Sequence, residues 1–165
     1  MSIRLEDPEA RLQHARDVAW RALNRRERTV TEMARLLADK RVEPSAIGTV
    51  VGELREQGYL DDASYARHFA EDRRRLDAWG ADRIERKLLS LGVDRDLIAE
   101  ALADQGHADE LVAAGELLAR RFPDPPQTPR DRDRALAMLV RKGYDRELAY
   151  DALRRHAGVE AEPID

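Results

Sequence analysis

The chain has no cysteine among its 165 residues. That absence removes disulfides, thiolate metal sites and cysteine nucleophiles together. Aromatic side chains make up only 5%, so no part of the chain can build a large aromatic core. β-Branched residues are sparse, which argues against sheet. No long uncharged apolar run occurs, and Met1-Ser2-Ile3-Arg4-Leu5-Glu6-Asp7-Pro8 has no apolar leader. The expectation is a cytoplasmic protein with no membrane segment. An excess of one charge is also missing: 29 basic residues face 33 acidic ones, a net charge of −4. Bulk charge therefore carries no nucleic-acid signature, and any such binding must come from a local patch.

Catalytic patterns are absent in the same way. His14, His68, His107 and His156 are scattered and form no i,i+4 pair, so a metal site is not expected. There is neither a Gly-rich phosphate loop nor a nucleophile elbow. Asp61-Asp62 is an adjacent acid pair, but a catalytic dyad needs a cleft and a partner acid or base. Its place after Tyr59-Leu60 and before a helix fits capping better. No enzyme activity, metal or cofactor is expected.

What the chain does have is apolar residues at 42%, mostly Ala and Leu, among 38% charged ones. That composition predicts an ordered, all-α protein. The apolar residues repeat. Val42, Val93 and Tyr144 stand at a constant interval of 51 residues. Met33, Ile84 and Ala135 lie nine before these anchors, and Leu37, Leu88 and Leu139 five before. Ala46, Leu97 and Leu148 follow four after, and Val51, Leu102 and Leu153 nine after. In two copies the anchor sits between Gly and Asp-Arg: Gly92-Val93-Asp94-Arg95 and Gly143-Tyr144-Asp145-Arg146. That order predicts a helix, a Gly cap, an apolar plug and an Asp cap for the next helix. The first copy carries Arg41-Val42-Glu43-Pro44 instead, with Pro44 suited to a helix start.

Longer helices are predicted upstream at 8–27, 62–78 and 108–121, giving nine in all. The predicted architecture is a tandem array of three three-helix repeats, elongated and curved. The repeats span 1–58, 59–106 and 107–158, with an acidic tail at 159–165. The proline-rich stretch 122–129 is a stiff connector inside the third repeat.

Three-helix units raise the possibility of helix-turn-helix DNA readers, whose third helix must present basic and amide side chains to the groove. The middle third helix carries Asp94, Asp96, Glu100 and Asp104 against one arginine, which phosphates would repel. The stronger functional signal is a cluster of cations. On the helix from Asp61, the turn count places Tyr65, Phe69 and Leu76 inward and Arg67 and Arg74 outward, with Arg73-Arg74-Arg75 crowding its end. On the next helix Ile84, Leu88 and Leu91 face in, leaving Arg83, Arg86 and Lys87 outside. Asp72, Asp77, Asp82 and Glu85 are interleaved, so on chemistry alone ordinary surface pairing accounts for these charges better than an anion site does.

One family matches this order of motifs. The run Gly58-Tyr59-Leu60-Asp61-Asp62-Ala63-Ser64-Tyr65-Ala66 leads to Trp79-Gly80-Ala81-Asp82-Arg83-Ile84-Glu85-Arg86-Lys87-Leu88 and then to Leu91-Gly92-Val93. Together they closely resemble the RecX family of bacterial recombination regulators. Arg25-Arg26-Glu27-Arg28-Thr29-Val30-Thr31-Glu32 is similar to that family's basic segment entering its second helix. The likeness covers nearly the whole chain and is looser in the third copy. It implies a non-enzymatic monomer that binds RecA, mainly the RecA filament on single-stranded DNA, with a weak direct contact to DNA. It also implies restraint of ATP hydrolysis, strand exchange and coprotease action, and so regulation of DNA repair and the SOS response. The expected partner-binding residues are Arg67, Arg73, Arg74, Arg75, Arg83, Arg86 and Lys87, with Arg25, Arg26 and Arg28. A DNA-binding helical module independent of RecA, and a purely structural helical adaptor, are the alternatives.

Overall fold

A computed structural model describes residues 7–158. Among these residues there are nine helices and no strand. They are α1 (Pro8–Arg25), α2 (Val30–Asp39), α3 (Pro44–Glu56), α4 (Asp62–Asp77), α5 (Ala81–Ser90), α6 (Arg95–Leu102), α7 (His107–Arg121), α8 (Pro129–Lys142) and α9 (Arg146–His156). The acidic tail expected at 159–165 lies outside the described residues. The chain forms two compact units, one of residues 7–66 with 88–97 and the other of 67–87 with 98–158.

The helix ends follow from local chemistry. The helices α2, α5 and α8 close alike. Val42, Val93 and Tyr144 donate their amides to Leu37, Leu88 and Leu139 at 3.0, 3.1 and 3.1 Å. The preceding residues, Arg41, Gly92 and Gly143, donate to Ala38, Leu89 and Val140. This double closure satisfies the last helical carbonyls and requires a left-handed residue at the cap. The φ angles there are +61°, +82° and +102°. Glycine accepts that conformation freely, whereas Arg41 takes it at a cost of about 1 kcal/mol. Asp145 accepts the Glu147 and Leu148 amides to start α9. The first copy has no such side chain; Glu43 makes no capping bond and Pro44 begins α3.

The periodic apolar residues form the cores. Met33, Leu37, Ile84, Leu88, Ala135 and Leu139 are all fully buried. Of the anchors, Val93 and Tyr144 are buried and Val42 half-buried. In the first unit Ala15, Ala19 and Ala22 on α1 pack with Met33, Leu37, Val50, Leu54 and Leu60. In the second, Leu111, Leu118, Leu139, Tyr144 and Leu148 anchor α7, α8 and α9 together. Tyr144 donates its hydroxyl to the Ala78 carbonyl at 2.8 Å. Burial pushes that phenol up to about 12.

The helix starts are joined to distant helix ends. In the first unit the fully buried Thr29 caps α2 and donates its hydroxyl to the Leu91 carbonyl at 2.7 Å. The Val30 amide, the first of α2, donates to the Asp62 carboxylate at 2.9 Å. In the second unit the same plan uses backbone. The Gly80 amide donates to the Lys142 carbonyl at 2.8 Å, and that of Asp82 to Gly143 at 3.0 Å. The Ala81 amide, the first of α5, donates to the Glu110 carboxylate at 3.1 Å. Orphan carbonyls at one helix end thus meet donors at another helix start, a hydroxyl in the first unit and amides in the second, and an acid from a third helix covers the remaining amide.

Glycine is obligatory where these ends touch. A Cβ on Gly80 would stand 2.5 Å from the Gly143 backbone, and one on Gly92 would stand 2.1 Å from the Thr31 hydroxyl oxygen. Gly80→Ala and Gly92→Ala should each destabilise their joint, by about 1–3 kcal/mol from overpacking alone. Gly115, inside α7, has nothing within 4 Å of such a Cβ. Gly115→Ala should stabilise the protein by about 0.5–1 kcal/mol. Urea unfolding of the three variants checks the contrast, and equal effects would contradict the joint geometry.

Candidate functional site

The cations singled out in the sequence separate into distinct environments. Helix α4 buries alanine, not its large side chains: Ala66 and Ala70 face the interior. Tyr65 and Phe69 are half-buried, and Leu76 is 60% exposed. The expected phase of α4 is therefore corrected. The helix turns its alanine stripe inward and its bulky residues to the rim.

That rotation brings Arg74 in. Its side chain is only 15% exposed, with a guanidinium nitrogen 4.0 Å from Glu110. Its Nε and Nη2 are buried without a hydrogen-bond partner. Burial lowers the Arg74 pKa, and the Glu110 charge opposes the shift. Glu110 itself is 7% exposed. Burial raises its pKa, against the Ala81 amide and Arg74. The outward placement expected for Arg74 does not hold. It is a desolvated partner of the acid that caps α5.

The neighbouring residues of the cluster are placed differently. Arg73 pairs with Asp77 one turn on, and its guanidinium lies 5.8 Å from the ring centres of both Phe69 and Trp79. Arg83 stacks on Trp79 at 4.1 Å and donates to the Arg141 carbonyl at 3.3 Å. Stacking of this kind desolvates one guanidinium face and fixes the arm. Arg75 reaches Asp72 at 3.4 Å in an exposed i,i+3 pair, which is weak in water. Arg86 donates to the Asp82 carbonyl, and Lys87 is exposed. Arg67 is exposed on α4 and lines a groove with Glu71, Arg74, Asp104, Asp109 and Glu116. Acids dominate that groove.

In the first unit, Arg25 and Arg28 come together and Arg26 does not. Arg25 and Arg28 line a groove of about 320 Å³ between α1 and α2 with His14, Arg21 and Lys40, over Val18, Ala22 and Leu36. No acid lines it. Arg26 instead donates to Glu32 at 2.5 Å. Glu32 also accepts the Thr29 amide, closing a capping box on α2. Burial raises the Glu32 carboxyl, but Arg26 and the Thr29 amide outweigh it and hold the pKa below the ordinary value.

Two features escaped the sequence reading. Glu110 is a buried acid whose amide partner is distant in sequence, and nothing local signals it. The second is a set of arginines on α7 and α8, namely Arg121, Arg130, Arg134 and Arg141, lining a groove of about 600 Å³. A signal existed: Arg25, Arg73 and Arg121 lie at a constant spacing of 48 residues, each near the end of the first helix of its triplet.

Each unit therefore presents arginine-bearing helix faces on an all-α scaffold. Among the described residues no group of His, Asp or Glu is arranged to hold a metal. No described helix is long and apolar enough to cross a membrane. Comparison with known proteins identifies the class. The model "RecX, first three-helix domain" matches residues 15–54, and "RecX, second three-helix domain" matches 61–102. The regulatory protein RecX of Leptothrix cholodnii is 34% identical over 136 residues, covering 82% of this chain and 85% of that protein. That of Mycolicibacterium smegmatis is 30% identical over 154 residues, 90% of this chain and 82% of that protein. The crystal structure of RecX from Lactobacillus salivarius superposes with a TM-score of 0.78 at 16% identity, over 90% of this chain and 98% of that one. The chain belongs to the RecX family, as the ordered motifs of the sequence implied.

Burial separates the arginines by consequence. Arg74→Glu should destabilise the fold by about 3–5 kcal/mol, since it sets two acids together in a desolvated pocket. Arg67→Glu and Arg86→Glu, at exposed positions, should each change stability by less than about 0.5 kcal/mol. Thermal and urea unfolding followed by circular dichroism distinguishes them; a fully stable Arg74→Glu protein would overturn the burial argument.

Acid should expose the α2 cap. Because folding holds Glu32 below its ordinary value of 4.5, its stabilising effect is present above that pH. It is lost as pH falls through the lower, folded-state value. The stability advantage over Glu32→Gln should accordingly be full at pH 7 and shrink in strong acid. An advantage independent of pH would refute it.

Proposed function

We propose that the protein binds the RecA recombinase, chiefly as its filament on single-stranded DNA, and restrains strand exchange, ATP hydrolysis and coprotease action. It thereby regulates DNA repair. The observation that carries this reading is membership of the RecX family across nearly the whole chain, among relatives named regulatory proteins. It acts without catalysing a reaction, as a cytoplasmic monomer. The repeat limits 1–58, 59–106 and 107–158 belong to the same proposal, and the two matched family segments, each inside one repeat, support them.

The proposed partner-binding residues are Arg67, Arg73, Arg75, Arg83, Arg86 and Lys87 in one unit, and Arg25, Arg26 and Arg28 in the other. Arg74 contributes indirectly, by neutralising Glu110 and so holding the start of α5. The exposed members supply charge and reach, and Arg83 supplies a guanidinium already ordered on Trp79. Pre-ordering lowers the entropy lost on docking against carboxylate or phosphate.

The test titrates the protein into RecA hydrolysing ATP on single-stranded DNA. ATPase activity should fall with the parent protein. Roughly tenfold more of Arg67→Glu/Arg83→Glu/Arg86→Glu should be needed for the same effect, as expected when interface charges are reversed. An unaffected ATPase at saturating parent protein would overturn the RecA reading. A well-folded triple variant acting at the parental concentration would move the contact surface elsewhere.

A further inference from the structure

The α7–α8 groove gathers positive charge that its own walls do not neutralise. Arg130, Arg134 and Arg141 line it from α8, and Arg121 and Phe122 from the end of α7. All four arginines are exposed. Among the described residues Asp133 is the one acid lining the groove, and Arg134 approaches Asp131 at 3.8 Å in an exposed pair. Among the same residues Arg121, Arg130 and Arg141 have no carboxylate within ion-pair distance. Exposed Ala137 and half-buried Met138 add a small apolar patch between Arg134 and Arg141.

The sequence after α9 carries what the groove lacks. Gly158 is followed by Val159-Glu160-Ala161-Glu162-Pro163-Ile164-Asp165, with three acids and no base. The end of α9 is fixed at the groove's rim: Nε2 of His156 donates to the Phe122 carbonyl at 2.7 Å, and Phe122 lines the groove. From His156 to Glu160 the chain reaches up to ~13 Å. The two charge patterns also agree in length. Along α8, Arg134 and Arg141 stand about 6 and 16 Å from Arg130 at ~1.5 Å per helical residue. In extended chain, Glu162 and Asp165 would stand about 7 and 16 Å from Glu160 at ~3.3 Å per residue. Proline favours extended backbone in the residue before it, here Glu162.

We infer that residues 159–165 dock in the α7–α8 groove of their own chain, with Glu160, Glu162 and Asp165 paired to Arg130, Arg134 and Arg141 and Ile164 against Met138. Each such pair is solvent-exposed and weak. The short tether compensates, because it holds the acids at an effective concentration in the millimolar range. The closure is therefore reversible and salt-sensitive, and an anionic partner drawn to the groove must first displace the segment. This contact is independent of RecA, so its test is too.

The chain has no cysteine, so an introduced pair reports the contact directly. Disulfide formation in the full chain is followed under mild oxidant by non-reducing electrophoresis. Ala137→Cys/Ile164→Cys should close an internal disulfide roughly tenfold faster than Ala119→Cys/Ile164→Cys, through its higher effective concentration. Ala119 is exposed on α7, lies outside the groove and leaves the charge unchanged. Adding Glu160→Lys/Glu162→Lys should reduce the Ala137 rate to that of the control. Adding Arg130→Glu/Arg134→Glu on top should restore it, since the pairs are then re-formed with signs exchanged. Raising salt to about 0.5 M should slow the Ala137 pair without any charge substitution, which keeps the test open if the reversed variants prove unstable. Equal rates at the two positions, a rate indifferent to salt, or failure of the well-folded exchange variant to recover would overturn the inference. Disulfide-linked dimers in place of the internal link would overturn it too, assigning the groove to the acidic segment of a second copy.

Discussion

The structure depends on joining helix ends that would otherwise be left unsatisfied. The start of α2 brings free amides to residues 29–32, and the end of α5 brings free carbonyls to residues 90–91. A buried hydroxyl, that of Thr29, connects them, and Asp62 takes the amide left over. At the start of α5 direct backbone bonds replace the hydroxyl, because Gly80 and Gly143 allow closer approach, and Glu110 replaces Asp62. The two joints differ in side chains and agree at two backbone groups: the Leu91 and Lys142 carbonyls each accept from the facing helix start, and the Val30 and Ala81 amides each meet a carboxylate. Burying such groups without partners costs more than most side-chain contacts gain. Sequence at these positions is therefore constrained by hydrogen-bond accounting as much as by hydrophobicity.

How much of this was legible in the sequence follows from whether each cause is local. The helix ends were readable because glycine, an apolar plug and aspartate act on residues within five positions. The core was readable because the 51-residue interval repeats Met33, Ile84 and Ala135 in the same role. Copy one showed the limit of that signal: Arg41 holds the left-handed angle that glycine holds elsewhere. Asp61 and Asp62 show the boundary between local and distant causes within two residues. Asp61 caps its own helix by accepting from Ser64, as its position predicts. Asp62 leaves its helix to accept from Val30, 32 residues away. No local rule separates those two acids.

The phase of α4 failed for a different reason. Ranking faces by their largest apolar residues selects Tyr65, Phe69 and Leu76, since burial of large side chains usually dominates. In α4 the small side chains take the interior instead. Ala66 and Ala70 are buried, while the rings of Phe69 and Trp79 pack edge-to-face at 6.0 Å on the rim. The same choice converts Arg74 from a surface charge into a buried one. A desolvated arginine is tolerable only beside an acid, and Glu110 is that acid. Helix rotation, helix capping and the buried ion pair are thus one decision read at three levels.

Repetition of the backbone then permits variation in chemistry. Arg25, Arg73 and Arg121 occupy the same place in successive first helices, but their neighbours on the following helices differ. Arg25 stands among Arg21, Arg28 and Lys40 over an aliphatic floor. Arg73 lies against Phe69 and Trp79 and pairs with Asp77. Arg121 borders a wide groove with three further arginines. Net charge cannot register these differences, since the surrounding acids cancel them in the total of −4. Screening confines each charge's influence to about 8–10 Å at physiological salt. What a partner meets is therefore the local neighbourhood of each arginine, and the helix joints are what hold those neighbourhoods in place.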